Sequence, residues 1–226
     1  MPRRRAVCLL AIPLLLPFVA LTAEADPPCA LSFWPHLFYT GFEDGVIEGL
    51  VRTPEEAWGP GNNNTALEVQ DMGPDTWCKA WIVTGFNWYD HVLQASVQYK
   101  EGANELGLLY HFQDPSNYYA FMLRNGDEAC LMRCVNGEVD RVETAPCSYE
   151  PDRWYVLRVE TAGALHCAWV NGDPVLMWSD SGFDHGTGGL MARNTRAWFD
   201  NVTGLIRPIP PLLHESPPAV SIPELR

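Results

Sequence analysis

Hydrophobic and polar residues alternate along most of the chain between about residues 36 and 206. In residues 91–99, Leu93, Ala95, Val97 and Tyr99 alternate with Gln94, Ser96 and Gln98. Residues 154–161 alternate in the same way. A period of two is that of a β-strand with one buried face, whereas an amphipathic helix has a period of 3.6. The pattern therefore predicts many short strands and almost no helix.

Turn signals separate the predicted strands every 8–12 residues or so. Asn136-Gly137 and Asn171-Gly172 are the strongest, because a type I′ hairpin turn needs positive φ at both positions. Without helices to cover them, the hydrophobic faces of the strands must pack on each other. We therefore predict an all-β fold, a two-sheet antiparallel jelly-roll sandwich.

The first residues have the order of a secretory signal peptide. Three arginines at positions 3–5 precede an apolar run, and small residues at positions 23 and 25 suit a signal peptidase. We predict a signal peptide over residues 1–25 and a secreted, extracellular protein, or a periplasmic one in a bacterium. No membrane span is expected after cleavage, and an uncleaved anchor is the alternative.

The rest of the chain divides into two segments. Residues 26–206 carry the strand pattern with no internal boundary, and we predict one β-sandwich domain there. Residues 207–226 contain prolines at six positions and few residues able to pack, which predicts a proline-rich, extended C-terminal tail.

The charge of the chain limits its partners. The net charge is −13, and removal of the three N-terminal arginines would make the domain more acidic still. Lys and Arg drive binding to nucleic-acid phosphates, so a nucleic-acid partner is not expected. Anionic membranes and polyanionic sugars are disfavoured for the same reason.

Six of the seven cysteines lie beyond the signal peptide, and an even number in an exported chain favours disulfides of unassigned pairing. A zinc site is the alternative, but paired C-x-x-C spacing is missing. Two cysteines four apart on a strand would have Cα atoms ~13 Å apart, too far to bond each other. The cysteines expected in disulfides are Cys29, Cys78, Cys130, Cys134, Cys147 and Cys167.

Seven motifs occur in an order that resembles the concanavalin A-like lectin/glucanase superfamily, and more narrowly its non-catalytic laminin G-like jelly-roll modules. The resemblance covers about residues 38–206. It rests on the order and spacing of residues 42–45, 105–111, 114–119, 136–137, 152–159 and 170–175, and of 188–191 together with 197–202.

The resemblance implies a structural calcium site. In the resembling modules, acidic residues near the first and last strands meet, and the matching positions here are Glu43, Asp44 and Asp200. Carboxylate and carbonyl oxygens are the ligands that Ca²⁺ prefers.

Alternation on the 105–124 hairpin predicts which side chains face solvent. Sugar sites combine aromatic rings with a few polar groups. We expect the ligand face to include His111, Gln113, Tyr118, Arg124 and Arg133, with Trp88 and Tyr89 at the rim of the sandwich.

Catalytic motifs are not evident in the sequence. Glycosidases of the resembling fold place Glu, Asp and Glu at alternate strand positions, and residues 138–143 miss this spacing. The histidines lack H-E-x-x-H spacing, and no nucleophile motif is present. We therefore expect a secreted non-catalytic module that binds a carbohydrate or glycoconjugate. A structural or adhesion protein that contacts another extracellular protein, and a divergent glycosidase or polysaccharide lyase, are the alternatives.

Overall fold

The computed structural model describes residues 35–43, 45, 47–84 and 88–206, apart from the side chains of residues 103 and 104. The predicted signal peptide, the proline-rich tail, Cys29 and Asp44 lie outside these residues. Two short 3₁₀ segments, Glu55–Ala57 and Asn62–Asn64, accompany thirteen strands. The strands are β1 (His36–Thr40), β2 (Leu50–Thr53), β3 (Trp58–Gly61), β4 (Ala66–Val69), β5 (Trp77–Ile82), β6 (His91–Asp114), β7 (Asn117–Arg124), β8 (Glu128–Val135), β9 (Glu138–Pro146), β10 (Trp154–Ala162), β11 (Leu165–Val170), β12 (Asp173–Ser179) and β13 (Thr187–Ile206).

Two long strands, β6 and β13, run antiparallel to each other through both layers of the fold. Sheet one has the order β12-β11-β10-β6-β13, and β13 then pairs with β1 and with the β4-β3 hairpin. Sheet two has the order β2-β5-β13-β6-β7-β8-β9. Register shifts in β13 after Arg193 and Arg196 mark the passage from one sheet to the other. The predicted two-sheet antiparallel sandwich is confirmed.

The main core lies between the two sheets, where every second residue of each strand points inward. Val97 of sheet one pairs with Tyr155 and Phe199, and all three are buried. Leu108 of sheet two pairs with Leu190 and Phe121, which are buried in the same cluster. The alternation read from the sequence thus corresponds to one shared core.

Both Asn-Gly turns have the positive φ that a type I′ hairpin requires. Asn136 and Gly137 have φ of 53° and 86°, and Asn171 and Gly172 have φ of 54° and 88°. The turns connect β8 to β9 and β11 to β12, as the sequence predicts.

The two ends of the described domain lie side by side. β1 pairs with the last residues of β13, and the Ile206 amide donates a hydrogen bond to the Pro35 carbonyl at 3.0 Å. The first and last strands of the described domain are therefore joined by backbone hydrogen bonds.

The cysteines differ from the expected disulfide framework. Cys78, Cys130, Cys134 and Cys147 are free thiols, and Cys167 lies half-buried on β11. The topology explains why Cys78 on β5 forms no disulfide with the cysteines of β8, because β13, β6 and β7 lie between these two strands. Four strand spacings amount to ~19 Å, and a disulfide spans at most about 7 Å between Cα atoms.

Candidate ligand-binding site

A row of polar and aromatic residues crosses the outer face of sheet two, the face turned away from the main core. Cross-strand pairing aligns Trp77 with Arg193, Arg193 with Glu105, Glu105 with Arg124, and Arg124 with Glu128. Five adjacent strands, β5, β13, β6, β7 and β8, each contribute one residue. We call these five residues the charged row.

Glu105 is the centre of the charged row. Its Oε1 lies 2.6 Å from Nη2 of Arg124, and its Oε2 accepts a hydrogen bond from Nε of Arg193. Burial raises the pKa of the Glu105 carboxyl, but the hydrogen bonds and charges of Arg193 and Arg124 outweigh burial and lower the pKa overall. Glu105 is therefore ionised near neutral pH and is poorly suited to act as a general acid.

The charged row borders a pocket of about 240 Å³. Met132, Val139 and Arg141 complete its lining, together with Trp77, Glu105, Arg124 and Arg193. The Arg193 guanidinium lies over the Trp77 ring, 4.1 Å from its centroid. Arg141 approaches Glu128 at 3.5 Å. The pocket thus combines an aromatic ring, apolar side chains and three guanidinium groups.

A continuous apolar strip lies beside the pocket on the same face of sheet two. Trp81 stacks on Phe112 with ring centroids 4.9 Å apart. Lys79 lies 4.6 Å from the Tyr118 ring centroid and donates a hydrogen bond to the Pro115 carbonyl at 2.8 Å. The other members of the strip are Leu109, Ala120, Met122, Cys130, Cys134 and Met191, all buried.

Four of the seven residues expected at the ligand face lie outside the main core, although one of them, Tyr118, is only 1% exposed and is therefore closed to solvent. Arg124 belongs to the charged row, and Tyr118 belongs to the apolar strip. Gln113 is exposed at the end of β6. Tyr89 is 59% exposed and its ring centroid lies 5.5 Å from that of His185.

The other three residues, Trp88, His111 and Arg133, point into the sandwich, which corrects the expected placement. Trp88 is only 7% exposed, because it packs in the main core. Arg133 alternates with the outward-facing Met132 and therefore faces inward, where its Nη1 lies 2.6 Å from Oδ2 of Asp180.

His111 is inward because of a bulge. Its φ is 43°, and the β6–β7 register shifts after Tyr110, so strict alternation fails there. Its Nδ1 hydrogen-bonds the Phe183 carbonyl at 2.9 Å. The ring centroids of His91 and His166 lie 5.1 and 5.9 Å from that of His111. We call His91, His111 and His166 the histidine cluster.

The histidine cluster is neutral at physiological pH. Burial, and after it the nearby His111, lowers the pKa of His91 to about 3. Burial lowers the pKa of His111 to about 4, and it also lowers the pKa of His166. Each ring hydrogen-bonds a loop carbonyl: His91 that of Tyr89, His111 that of Phe183 and His166 that of Asp180. The cluster therefore holds loops in place rather than facing a ligand.

Two of the three expected calcium ligands come together. β1 pairs with β13, so Glu43 lies near Asp200. Burial, and then the negative charge of Glu43, raises the pKa of the Asp200 carboxyl, although a hydrogen bond from the Asn201 amide lowers it in part. Adjacent carboxylates of this kind fit a hard cation. Among the described residues, however, no group of three or more His, Cys, Asp or Glu side chains is placed to hold a metal.

The described part of the chain has no helix of the length and hydrophobicity needed to span a membrane.

Comparisons with known proteins support the fold. No family model and no curated protein matches the sequence. The structure is similar to the carbohydrate-binding module CBM66 from Bacillus subtilis, with a TM-score of 0.62, 18% identity, and coverage of 70% of this chain and 95% of that chain. A Bacillus subtilis protein of unknown function with a galectin-like fold gives a TM-score of 0.60 and 12% identity, with coverage of 76% and 98%.

The exoplasmic/lumenal domain of VIP36, in a form bound to Ca²⁺ and Man2, gives a TM-score of 0.54 and 10% identity, with coverage of 76% of this chain and 87% of that chain. The fold is therefore a lectin-type jelly-roll sandwich.

Proposed function

We propose that the protein is a secreted, non-catalytic recognition module that binds a carbohydrate, of the laminin G-like type within the concanavalin A-like superfamily. The ligand would bind the outer face of sheet two. The observation that carries this proposal is the pocket beside the charged row, where one open face of a lectin-type sandwich presents Trp77 and polar side chains together.

The chemistry of the face supports a sugar ligand. Sugar sites combine apolar or aromatic surface with a few polar groups that fix orientation. Trp77, Met132 and Val139 supply the first kind of contact, and guanidinium groups supply the second. Two similar structures are a carbohydrate-binding module and a domain bound to Ca²⁺ and Man2, which favours the same use of this fold.

The charged row favours binding over hydrolysis. A glycosidase needs one carboxylic acid with a raised pKa and a second carboxylate across the scissile bond. The lowered pKa of Glu105 is the opposite of what a general acid requires, since both its oxygens are held by arginines.

We also propose a structural Ca²⁺ ion at Glu43 and Asp200, with Asp44 as a third ligand. The pairing of β1 with β13, which brings Glu43 near Asp200, supports this site, because carboxylate oxygens are ligands that Ca²⁺ prefers. Its chemistry there would be to hold the ends of the domain together.

A glycan array, followed by calorimetry on the best glycan, tests the proposed function. We expect Trp77→Ala to weaken binding at least tenfold, because it removes the aromatic contact. Trp169→Ala is the matched control: Trp169 lies on β11 next to the inward-facing Ala168 and Val170, and so on the outer face of sheet one. If the protein binds no glycan but binds a protein ligand, the adhesion alternative is favoured. If the two variants lose glycan affinity equally, the glycan does not bind at Trp77.

A further inference from the structure

The pocket beside the charged row has a local charge opposite to that of the whole protein. Three arginines, Arg124, Arg141 and Arg193, line it, and Glu105 is its only carboxylate among the described lining residues. Glu128 lies next to it and contacts Arg124 and Arg141. Three cations therefore face two anions, in a chain with a net charge of −13.

Arg124 is largely occupied by its partners. Its Nε donates to Glu105 at 2.8 Å, and its Nη1 donates to Glu128 at 3.0 Å. A guanidinium carries five N–H donors in a planar fork, and those of Arg124 are directed at two carboxylates. Arg124 positions Glu105 rather than offering a free edge to a ligand.

Arg193 and Arg141 retain unused donors. Arg193 donates to Glu105 through Nε, and neither of its Nη atoms hydrogen-bonds a described residue. The Trp77 ring supports the flat face of this guanidinium and so restricts its orientation. Arg141 has an ion pair with Glu128 at 3.5 Å, its side chain is 54% exposed, and it makes no hydrogen bond to the described part of the chain.

We propose that Arg193 binds the carboxylate of a sugar acid, while Arg141, four strands away on β9, donates to a hydroxyl group at the other end of the ligand. The sugar between them would lie against Met132 and Val139. A guanidinium binds a carboxylate through two parallel hydrogen bonds, which gives both affinity and orientation. This inference rests on the proposed function and names the class of sugar.

The pocket fits one acidic sugar rather than a polyanion. Its volume, about 240 Å³, is below the roughly 300–1,000 Å³ of pockets that hold drug-sized ligands. Glu105, Glu128 and the acidic surface beyond would repel further negative charges. The ligand is therefore a uronic acid unit attached to neutral sugars.

The test compares two forms of one ligand by calorimetry on the full chain. The probes are disaccharides in which glucuronic or galacturonic acid is linked to a neutral sugar, each as the free acid and as its methyl ester. The ester keeps the ring and removes the charge. We expect the free acid of one of the two to bind at least tenfold more tightly than its ester, and Arg193→Gln to reduce that preference at least fivefold. Arg141→Gln should weaken the binding of acid and ester alike and leave the preference nearly unchanged.

Arg153→Gln is the matched control, because Arg153 is exposed near Tyr155 and lies outside the pocket. It removes the same global charge and should leave the preference unchanged. Equal binding of acid and ester, or an equal effect of all three variants, would overturn the assignment of the carboxylate. In that case, binding of neutral glycans that depends on Trp77 would still support the proposed function. Absence of binding to any glycan would overturn both the proposed function and the carboxylate site.

Discussion

The histidine cluster shows how burial decides the protonation state of single residues. His91 and His111 are 0% exposed, and each donates a hydrogen bond to a backbone carbonyl. A charged imidazole in this interior would lose its hydration and face two further imidazoles. The folded protein therefore keeps these rings neutral, whereas the unfolded chain protonates them near pH 6.5.

Stability should fall as the pH is lowered from 7 to 5. The pKa values of His91 and His111 are lowered to about 3 and about 4 in the folded state, so the unfolded state binds more protons below pH 6.5. Their contribution is fully present above that pH and is lost as the pH falls, at up to about 2.7 kcal/mol per pH unit for the two rings together. Urea unfolding at pH 7, 6 and 5 measures the slope.

Two variants locate the effect. His111→Gln should reduce the slope of the unfolding free energy against pH by the equivalent of about one bound proton. His36→Gln, which changes an exposed histidine on β1, should leave that slope unchanged. A free energy of unfolding that stays constant between pH 7 and pH 5 would contradict the prediction.

At the scale of residues, the sequence alone predicts part of the candidate site. Alternation along β7 places Tyr118 and Arg124 on the outer face of sheet two. His111 faces inward instead, because a bulge adds one residue and reverses the direction of the side chain. Glu105 could have been found, since the hairpin register that aligns Tyr110 with Tyr119 also aligns Glu105 with Arg124. Arg193 could not, because its pairing joins strands far apart in sequence.

At the scale of elements, glycines serve two different purposes. Gly172 has φ of 88° in a hairpin turn, and a Cβ added there would meet no atom within 4 Å. Gly107 lies inside β6, where a Cβ would lie 2.0 Å from the Phe121 carbonyl oxygen of the neighbouring strand. The first position needs glycine for its backbone conformation, and the second needs it for the close approach of β6 and β7.

Replacing these two glycines should separate the two effects. Gly172→Ala is expected to destabilise the protein by about 1–2 kcal/mol, the cost of a left-handed conformation with a Cβ. Gly107→Ala should cost more than about 3 kcal/mol or prevent folding, because a backbone oxygen must move. Urea unfolding compares the two, and equal costs would contradict the proposed close approach.

At the scale of the whole molecule, the sequence predicted the architecture but not every bond within it. Period-two alternation and the Asn-Gly turns determined the strands and the sandwich. The expected disulfides failed for Cys78 and Cys130 because even cysteine numbers carry no information on distance, and these residues lie on strands separated by three others.

Calcium should stabilise the whole domain if the proposed ion binds at Glu43 and Asp200. An ion bound only by the folded state at tenfold its Kd contributes about 1.4 kcal/mol, which raises the Tm by about 3–6 °C for a domain of this size. Thermal melting with and without a few millimolar Ca²⁺ measures the shift.

Asp200→Asn should abolish the calcium-dependent shift. Asp173→Asn, at an exposed hairpin position, removes the same charge and should preserve it. No difference in Tm between calcium and a chelator would rule the ion out.

The hydrogen bond between Ile206 and Pro35 has a mechanical consequence. Because β1 and β13 are antiparallel and the two ends of the domain leave from one point, tension between those ends pulls along the direction of the ladder bonds. The bonds then break one after another, as in a zipper, rather than all at once in shear. A module tethered at both ends would therefore unfold first by the separation of β1 from β13 at low force. Sheet two, which carries the proposed ligand site, would stay folded.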